Sequence, residues 1–273
     1  MNYQTFQPSS GLASFVKCHW SLEVPAGVHP QKQRIVPDGC MEMIFILADD
    51  IRRYTSENDS IIQPRAVVVG QISKPFIIEP TGRVDCFATR FYPYGFANFI
   101  TTSLKDLENK ETPITELFGV NDSKELELKI ISSQTTAERI EIIESFFLNK
   151  LNEQSTIDHI VKTTIDALLS TNGSTAIKTI VDDEPSSRRR LERKFIKQVG
   201  LSPKQLGKVI RLQAALKLLL NRRAEKLTEI AYQSDYYDQA HFIRDFKDFT
   251  GTNPKEFLKD DEMLLSSLFY TND

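Results

Sequence analysis

Two short segments near the C-terminus carry side chains able to read the edges of base pairs. In the first, Arg188, Arg189, Glu192 and Arg193 share one stripe of a predicted helix; in the second, Gln239, Ala240, Ile243 and Arg244 occupy the matching stripe. Arginine grips guanine through O6 and N7, glutamate accepts from cytosine N4, glutamine pairs with adenine, and an exposed isoleucine can meet a thymine methyl. The segments are copies of one unit. A shift of 51 positions lays Leu191–Lys204 on Phe242–Lys255, with Arg193/Arg244, Phe195/Phe246, Gly200/Gly251, Pro203/Pro254 and Lys204/Lys255 identical. Leu191/Phe242 and Leu206/Phe257 keep apolar character. A repeat of this length means one supersecondary unit used twice, and two helical readers in tandem suit successive turns of a major groove.

The elements that hold these stripes follow from spacing and capping. In the first copy a short helix is expected over 174–181, a turn at Asp182–Pro185, a cap at Ser186 or Ser187, and a reading helix over 188–197 with Leu191 and Phe195 facing inward. In the second, Leu227–Tyr232 is the support, Ser234–Tyr236 the turn and Asp238 the cap, with Phe242 and Phe246 inward and His241 packed beside aromatics. Pro203–Leu220 reads as one long helix between them. At ~1.5 Å per residue it spans nearly 30 Å, about one turn of B-DNA. Ser187, Lys204, Lys208, Arg211, Asp238 and Lys255 are candidates for the phosphate backbone, where contacts position a protein but carry little sequence information.

Charge agrees with this division. The 273-residue chain has a net charge of −3, yet residues 174–259 hold 18 Lys+Arg against 11 Asp+Glu, while 260–273 hold four acids and no base. A basic segment beside an acidic one is the imprint of a polyanion-binding domain attached to something else; a solvated charge cluster gives the same count. Apolar content of 40% is ordinary for a globular protein. No apolar run reaches the roughly 20 residues that cross a bilayer, and the first residues show no secretory pattern. Cys18, Cys40 and Cys86 are odd in number and set in apolar surroundings. They read as reduced core thiols of a cytoplasmic protein.

Residues 1 to about 105 read as β-structure. Met41–Leu47, Ala66–Val69, Phe76–Ile78 and Val84–Phe91 are short apolar runs rich in strand formers, broken by prolines. Closely spaced strands imply a sandwich or small barrel. After Pro113 a helix is expected from Asn121 or Asp122 through Ile131, another over 134–151, and a third over 156–169. The middle helices can serve as linker, dimer interface or both. Glu42 and Arg90 lie on otherwise apolar strands and can form a buried pair, a ligand clamp or a rim-exposed pair. Trp20, Tyr92 and Tyr94 can wall a pocket or fill a core. Cys18, His19, His29, Cys40 and Glu42 are near neighbours in sequence, but none has a metal-ligand spacing, so no metal or other cofactor is expected.

The stretch Ile230-Ala231-Tyr232-Gln233-Ser234-Asp235-Tyr236-Tyr237-Asp238-Gln239-Ala240-His241-Phe242-Ile243-Arg244-Asp245-Phe246-Lys247, followed by Gly251-Thr252-Asn253-Pro254, resembles the AraC/XylS family of bacterial transcription regulators. The resemblance covers about 156–260. It implies two helix-turn-helix subdomains joined by a long helix, with the eight stripe residues named above as base-reading positions. Asp235 departs from the glycine usual there, at a turn position that often takes positive φ. Ile180-Val181 and Asp182-Asp183-Glu184 depart in the first copy. His19-Trp20, Val36–Glu42, Gly70-Gln71 and Arg90–Gly95 resemble a sensor type found in some members, which implies a compact β-barrel-like sensing or dimerising domain.

The expected fold is therefore α+β and multidomain: a mostly-β sandwich or barrel-like sensor over 1–120, a helical linker over 121–155, an all-α DNA-binding domain over 156–260, and an acidic tail over 261–273. The expected function is a cytoplasmic, one-component, sequence-specific transcription regulator and not an enzyme. Its partners would be double-stranded DNA, a small-molecule effector bound by Trp20, Glu42, Arg90, Tyr92 and Tyr94, RNA polymerase and a second copy of the chain, with no membrane. The competing reading is an enzymatic or metal-binding N-terminal half targeted to DNA by the C-terminal half.

Overall fold

The computed structural model describes residues 1–27, 32–151, 158–180, 185–221 and 226–271. The N-terminal half is built from two antiparallel sheets. The larger has strand order β1 (Asn2–Phe6), β2 (Val16–Val24), β9 (Val84–Phe91), β4 (Met41–Ile46), β7 (Ala66–Val69), β10 (Glu111–Pro113). The smaller has order β3 (Gln33–Ile35), β8 (Phe76–Pro80), β5 (Ile51–Tyr54), β6 (Ser60–Ile62).

The larger sheet is covered on both faces, which is why its central strands read as near-continuous apolar runs. One face carries Met41, Met43, Phe45, Val68, Phe87 and Phe91 into a core with Leu126, Ile130, Ile143 and Phe147 of two helices, α2 (Val120–Ser132) and α3 (Thr136–Leu151). The short α1 (Ile114–Phe118) precedes them. The other face carries Cys18, Trp20, Leu22, Val24, Cys86 and Ala88 toward the smaller sheet. All three cysteines are buried thiols outside any disulfide. Burial pushes the Cys86 thiol up to about 12.

The C-terminal half is helical: α4 (His159–Ser170), α5 (Pro185–Val199), α6 (Pro203–Leu220), α7 (Leu227–Gln233), α8 (Gln239–Thr250), α9 (Pro254–Phe257) and α10 (Leu264–Thr271). The long helix α6 appears at the bounds its sequence predicts, set by a capping box between Ser202 and Gln205 with Pro203 in the first turn. It supplies both reader cores. Leu206 and Ile210 join Val161, Ile165, Leu168, Leu191 and Phe195. Val209, Leu212, Ala215, Leu216 and Leu219 join Ile230, Phe242, Phe246 and Phe257.

Four expectations are corrected. The stretch 174–181 is no regular helix: its described part holds only a 3-10 turn over Ile177–Thr179. Threonine and isoleucine lose rotamer freedom in a helix, and the Thr171, Thr175 and Thr179 hydroxyls bond to backbone carbonyls instead. Ser186 and Ser187 do not cap α5, which already begins at Pro185, a residue suited to the first helical turn. The last residues are not merely an acidic tail. Asp261–Met263 form a 3-10 turn and α10 follows, with Leu265 and Phe269 packed on the β-domain. Pro80, one of the prolines expected to break the apolar runs, is the last residue of β8. The turns expected at Asp182–Pro185 and Asn221–Lys226, the start of the helix placed at 156, His29 and the acids Asp182, Asp183 and Glu184 lie wholly or partly outside the described residues. Among the described residues no helix is long and apolar enough to cross a membrane.

Candidate nucleic-acid interface and inner cavity

The 51-residue repeat is also a structural repeat. Leu191 and Phe242, Phe195 and Phe246, and Leu206 and Phe257 are all buried in their respective cores. Gly200 (φ 90°) and Gly251 (φ 77°) both terminate their reading helix in the left-handed half of backbone space, where a side chain would be strained. The capping box recurs as well: Ser202 with Gln205 before α6, Asn253 with Glu256 before α9. The second turn is closed by Asp235 at φ 58°, the positive φ expected at that position.

The reading stripes face outward. Arg188, Arg189, Glu192 and Arg193 are exposed on α5. With Arg190 they gather positive charge near a helix N-terminus, where the macrodipole already favours an anion. On α8, Ala240 and Arg244 are exposed. Gln239 is half-buried and accepts a 2.8 Å bond from the Thr228 hydroxyl. Ile243 is half-buried against the second core, so only part of it is free to meet a methyl group.

The candidate phosphate contacts divide into two groups. Ser187 is half-buried on α5, and Lys204 and Lys255 are exposed in the first turns of α6 and α9. Lys204, Lys208, Arg211 and His241 line one groove between the two copies. Lys208 and Arg211, however, are struts within the domain. Lys208 Nζ bonds Asp245 Oδ1 at 2.8 Å, and Asp245 is only 2% exposed. Arg211 donates to the Gly173 carbonyl at 2.9 Å and lies 5.3 Å over the Tyr236 ring, tying one copy to the other. Asp238 is also reassigned: its carboxylate accepts from the His241 backbone N–H at 2.7 Å as the α8 cap, and a negative charge has no attraction for phosphate. His241 keeps an edge contact with Tyr236 at 5.8 Å between ring centres.

The candidate effector residues separate in the same way. Trp20, Glu42 and Arg90 line a cavity of about 100 Å³ between the two sheets. Arg90 Nε bonds Glu42 Oε1 at 2.6 Å, and Trp20 Nε1 donates to the same oxygen at 3.0 Å. Arg90 is 2% exposed, so this is a buried pair and not a rim pair. Asp38, 3.7 Å from Arg90 Nε, also lines it. Burial pushes its carboxyl up to about 6 against the pull of Arg90. Tyr92 and Tyr94 do not line this cavity. They stack on each other, and Tyr94 is buried with Val161, Ile165, Leu191 and Phe195 at the junction with the first reader.

Two contributors were missed in the sequence. Glu111 lines the cavity from the edge strand β10. Leu265 and Phe269 of α10 complete its wall, Phe269 lying 5.6 Å from Trp20 and 5.2 Å from Tyr3 between ring centres. The segment is sewn to β3. Arg34 pairs with Glu262 at 2.7 Å, Gln33 accepts from the Leu265 backbone N–H at 3.0 Å, and the Ser266 hydroxyl donates to the Arg34 carbonyl at 2.6 Å. The run Met263-Leu264-Leu265 with Leu268-Phe269 was the signal that could have found it.

Comparison with known proteins places the two halves differently. Residues 184–260 match a family described as a helix-turn-helix domain, and residues 4–113 match a domain of unknown function, DUF6597. The chain is 27% identical over 158 residues to the HTH-type transcriptional regulator MtrA of Neisseria gonorrhoeae, a match covering 58% of this chain. The chain spans about half (51%) of the length of that relative. Superposition on ToxT of Vibrio cholerae gives a TM-score of 0.49 at 14% identity, over 95% of this chain and 98% of that one. A ToxT structure bound to (E)-4-(8-methylnaphthalen-1-yl)but-3-enoic acid gives 0.49 at 12% identity, over 95% and 99%. The C-terminal domain carries a helix-turn-helix unit, and the chain has an N-terminal mostly-β domain before it.

Proposed function

We propose that this protein is a sequence-specific, DNA-binding transcription regulator of AraC type, with α5 and α8 entering adjacent major-groove faces and the N-terminal domain holding a small-molecule effector. The observation that carries the reading is the pair of repeat-related helices with outward Arg/Gln stripes, both seated on α6. Effector control is supported by continuity. Leu265 and Phe269 wall the cavity, and the segment bearing them follows directly from α9 of the second reader. Exposed Leu128 on α2 and Leu148 on α3 mark where a second copy would pack.

The test is binding to selected genomic fragments. Arg193→Ala or Arg244→Ala should each cost about 1–3 kcal/mol on a cognate site and relax base choice at one position. Affinity should fall steeply with salt. An equal loss on random DNA would reduce these arginines to phosphate contacts, and affinity independent of salt would overturn the groove reading.

A further inference from the structure

We propose that the cavity between the sheets binds a small organic cation, an ammonium group on a compact apolar body about the size of one aromatic ring. The proposal rests on the effector reading above and adds the class of ligand.

Strand register places the charges. Arg90 pairs with Glu42, Glu42 with Val69, and Val69 with Glu111, so these four form one row across the larger sheet. Directly opposed residues point to the same face, and strands are ~4.8 Å apart, so Glu42 and Glu111 stand about 10 Å apart across the cavity wall. Among the described lining residues, Asp38, Glu42 and Glu111 are acidic and Arg90 is basic.

Glu111 is the second, independent sign. Its side chain is 3% exposed. Oε1 takes both available donors, Arg53 Nη1 at 2.7 Å and Gln63 Nε2 at 2.6 Å, while Oε2 is buried with no partner. A buried acceptor left unpaired is costly, more so on a charged group, so the site lacks a donor. Arg53 also lies 3.9 Å over the Phe76 ring.

Apart from Gln33 and Gln63 the remaining wall is apolar and aromatic, including Trp20, Phe76 and Phe269. Ring faces attract cations, more strongly when water is excluded. A carboxylate ligand would meet three acids, with the guanidiniums of Arg90 and Arg53 already bonded to Glu42 and Glu111. A neutral ligand with no donor would leave Glu111 Oε2 unpaired. An ammonium group answers both deficits.

The experiment is calorimetric titration and thermal shift of the full chain with benzylamine, benzyl alcohol and benzoate, which share a ring and differ in charge. Benzylamine should bind one-to-one, raise Tm and exceed benzyl alcohol by at least tenfold in affinity; benzoate should not bind. Glu111→Gln keeps an amide oxygen and removes the charge. It should weaken benzylamine about tenfold and leave benzyl alcohol unchanged, a difference that mere loss of packing would not produce. Should that variant fail to fold, the three-ligand series on the unaltered chain decides alone. Preference for benzoate overturns the cation and retains an effector pocket. Equal binding of all three, or binding of none, overturns the proposal. Each result is independent of the Arg193 and Arg244 tests, so DNA reading stands or falls separately.

Discussion

The two readers share a sequence pattern but are framed differently. The second has its own regular frame and also touches the β-domain, through Val36 in its core and Arg34 donating to the Thr250 carbonyl at 3.4 Å. It has a regular support helix α7, a capped α8, and a ring cluster of Tyr236, Phe242, Phe246 and Phe257. The first has a 3-10 turn in place of that support and leans on the N-terminal domain. Tyr94 joins its core, and Gly200 at its C-terminus lies against the Leu104 carbonyl. Position 194/245 of the repeat shows the contrast in one residue. Lys194 pairs with Asp158 at the start of α4, both partly exposed; Asp245 is buried and pairs with Lys208 of α6. A repeated motif thus fixes the shape of a unit and leaves its anchorage to be solved twice. Both readers touch the β-domain, but among the described residues only the second has a regular support helix of its own.

The strongest way to break this contrast is to remove each anchor. Lys208→Ala leaves the Asp245 carboxylate buried without its cation and should cost about 3 kcal/mol. Lys194→Ala acts on a solvent-screened pair and should cost under about 1 kcal/mol. Urea unfolding of the two variants measures both. Equal costs would mean that the two anchors are energetically alike and the asymmetry only geometric.

What the sequence made legible follows the same physics. Strands β4, β7 and β9 stood out because a sheet covered on both faces needs apolar residues at nearly every position. The edge strand β6 did not, since Ile61 and Ile62 are half exposed and no alternation marks them. Trp20, Glu42 and Arg90 were readable as a polar cluster on apolar strands. Glu111 was not, because only the pairing of β10 with β7 brings it into their row. Tyr92 and Tyr94 were misplaced because alternation tells which face a residue takes, not whether that face meets a cavity or another domain. Helix α10 was hidden by its own acids: counting charge over 260–273 obscured the apolar face behind it.

Capping sharpens the comparison from the other side, since here the copies should agree. Ser202 and Asn253 each close a capping box before a proline-initiated helix. Ser202→Ala and Asn253→Ala should each cost about 1 kcal/mol. Denaturant midpoints at constant m-value report the change. A cost confined to one variant would show that helix α9, only four residues long, is held by Phe257 packing and not by its cap.

Acid should release the first reader's anchor by a predictable route. The Lys194 ammonium beside Asp158, helped by the Ile160 backbone N–H, holds that carboxyl below its usual value of 3.8. A carboxyl depressed on folding adds stability above its unfolded value, and that contribution is lost as pH falls through the folded one. The pair is partly exposed, so the amount is a few tenths of a kcal/mol up to about 1. The stability difference between the unaltered chain and Asp158→Asn should therefore be constant near neutrality and shrink only below about pH 4. Urea unfolding across that range reads the difference, and exchange of the α4 and α5 amides locates it. No difference at any pH would show that Asp158 acts only as the α4 cap, an oxygen that asparagine also supplies, and that Lys194 is no anchor; a difference that persists undiminished to the lowest pH would show that it does not come from the carboxylate charge.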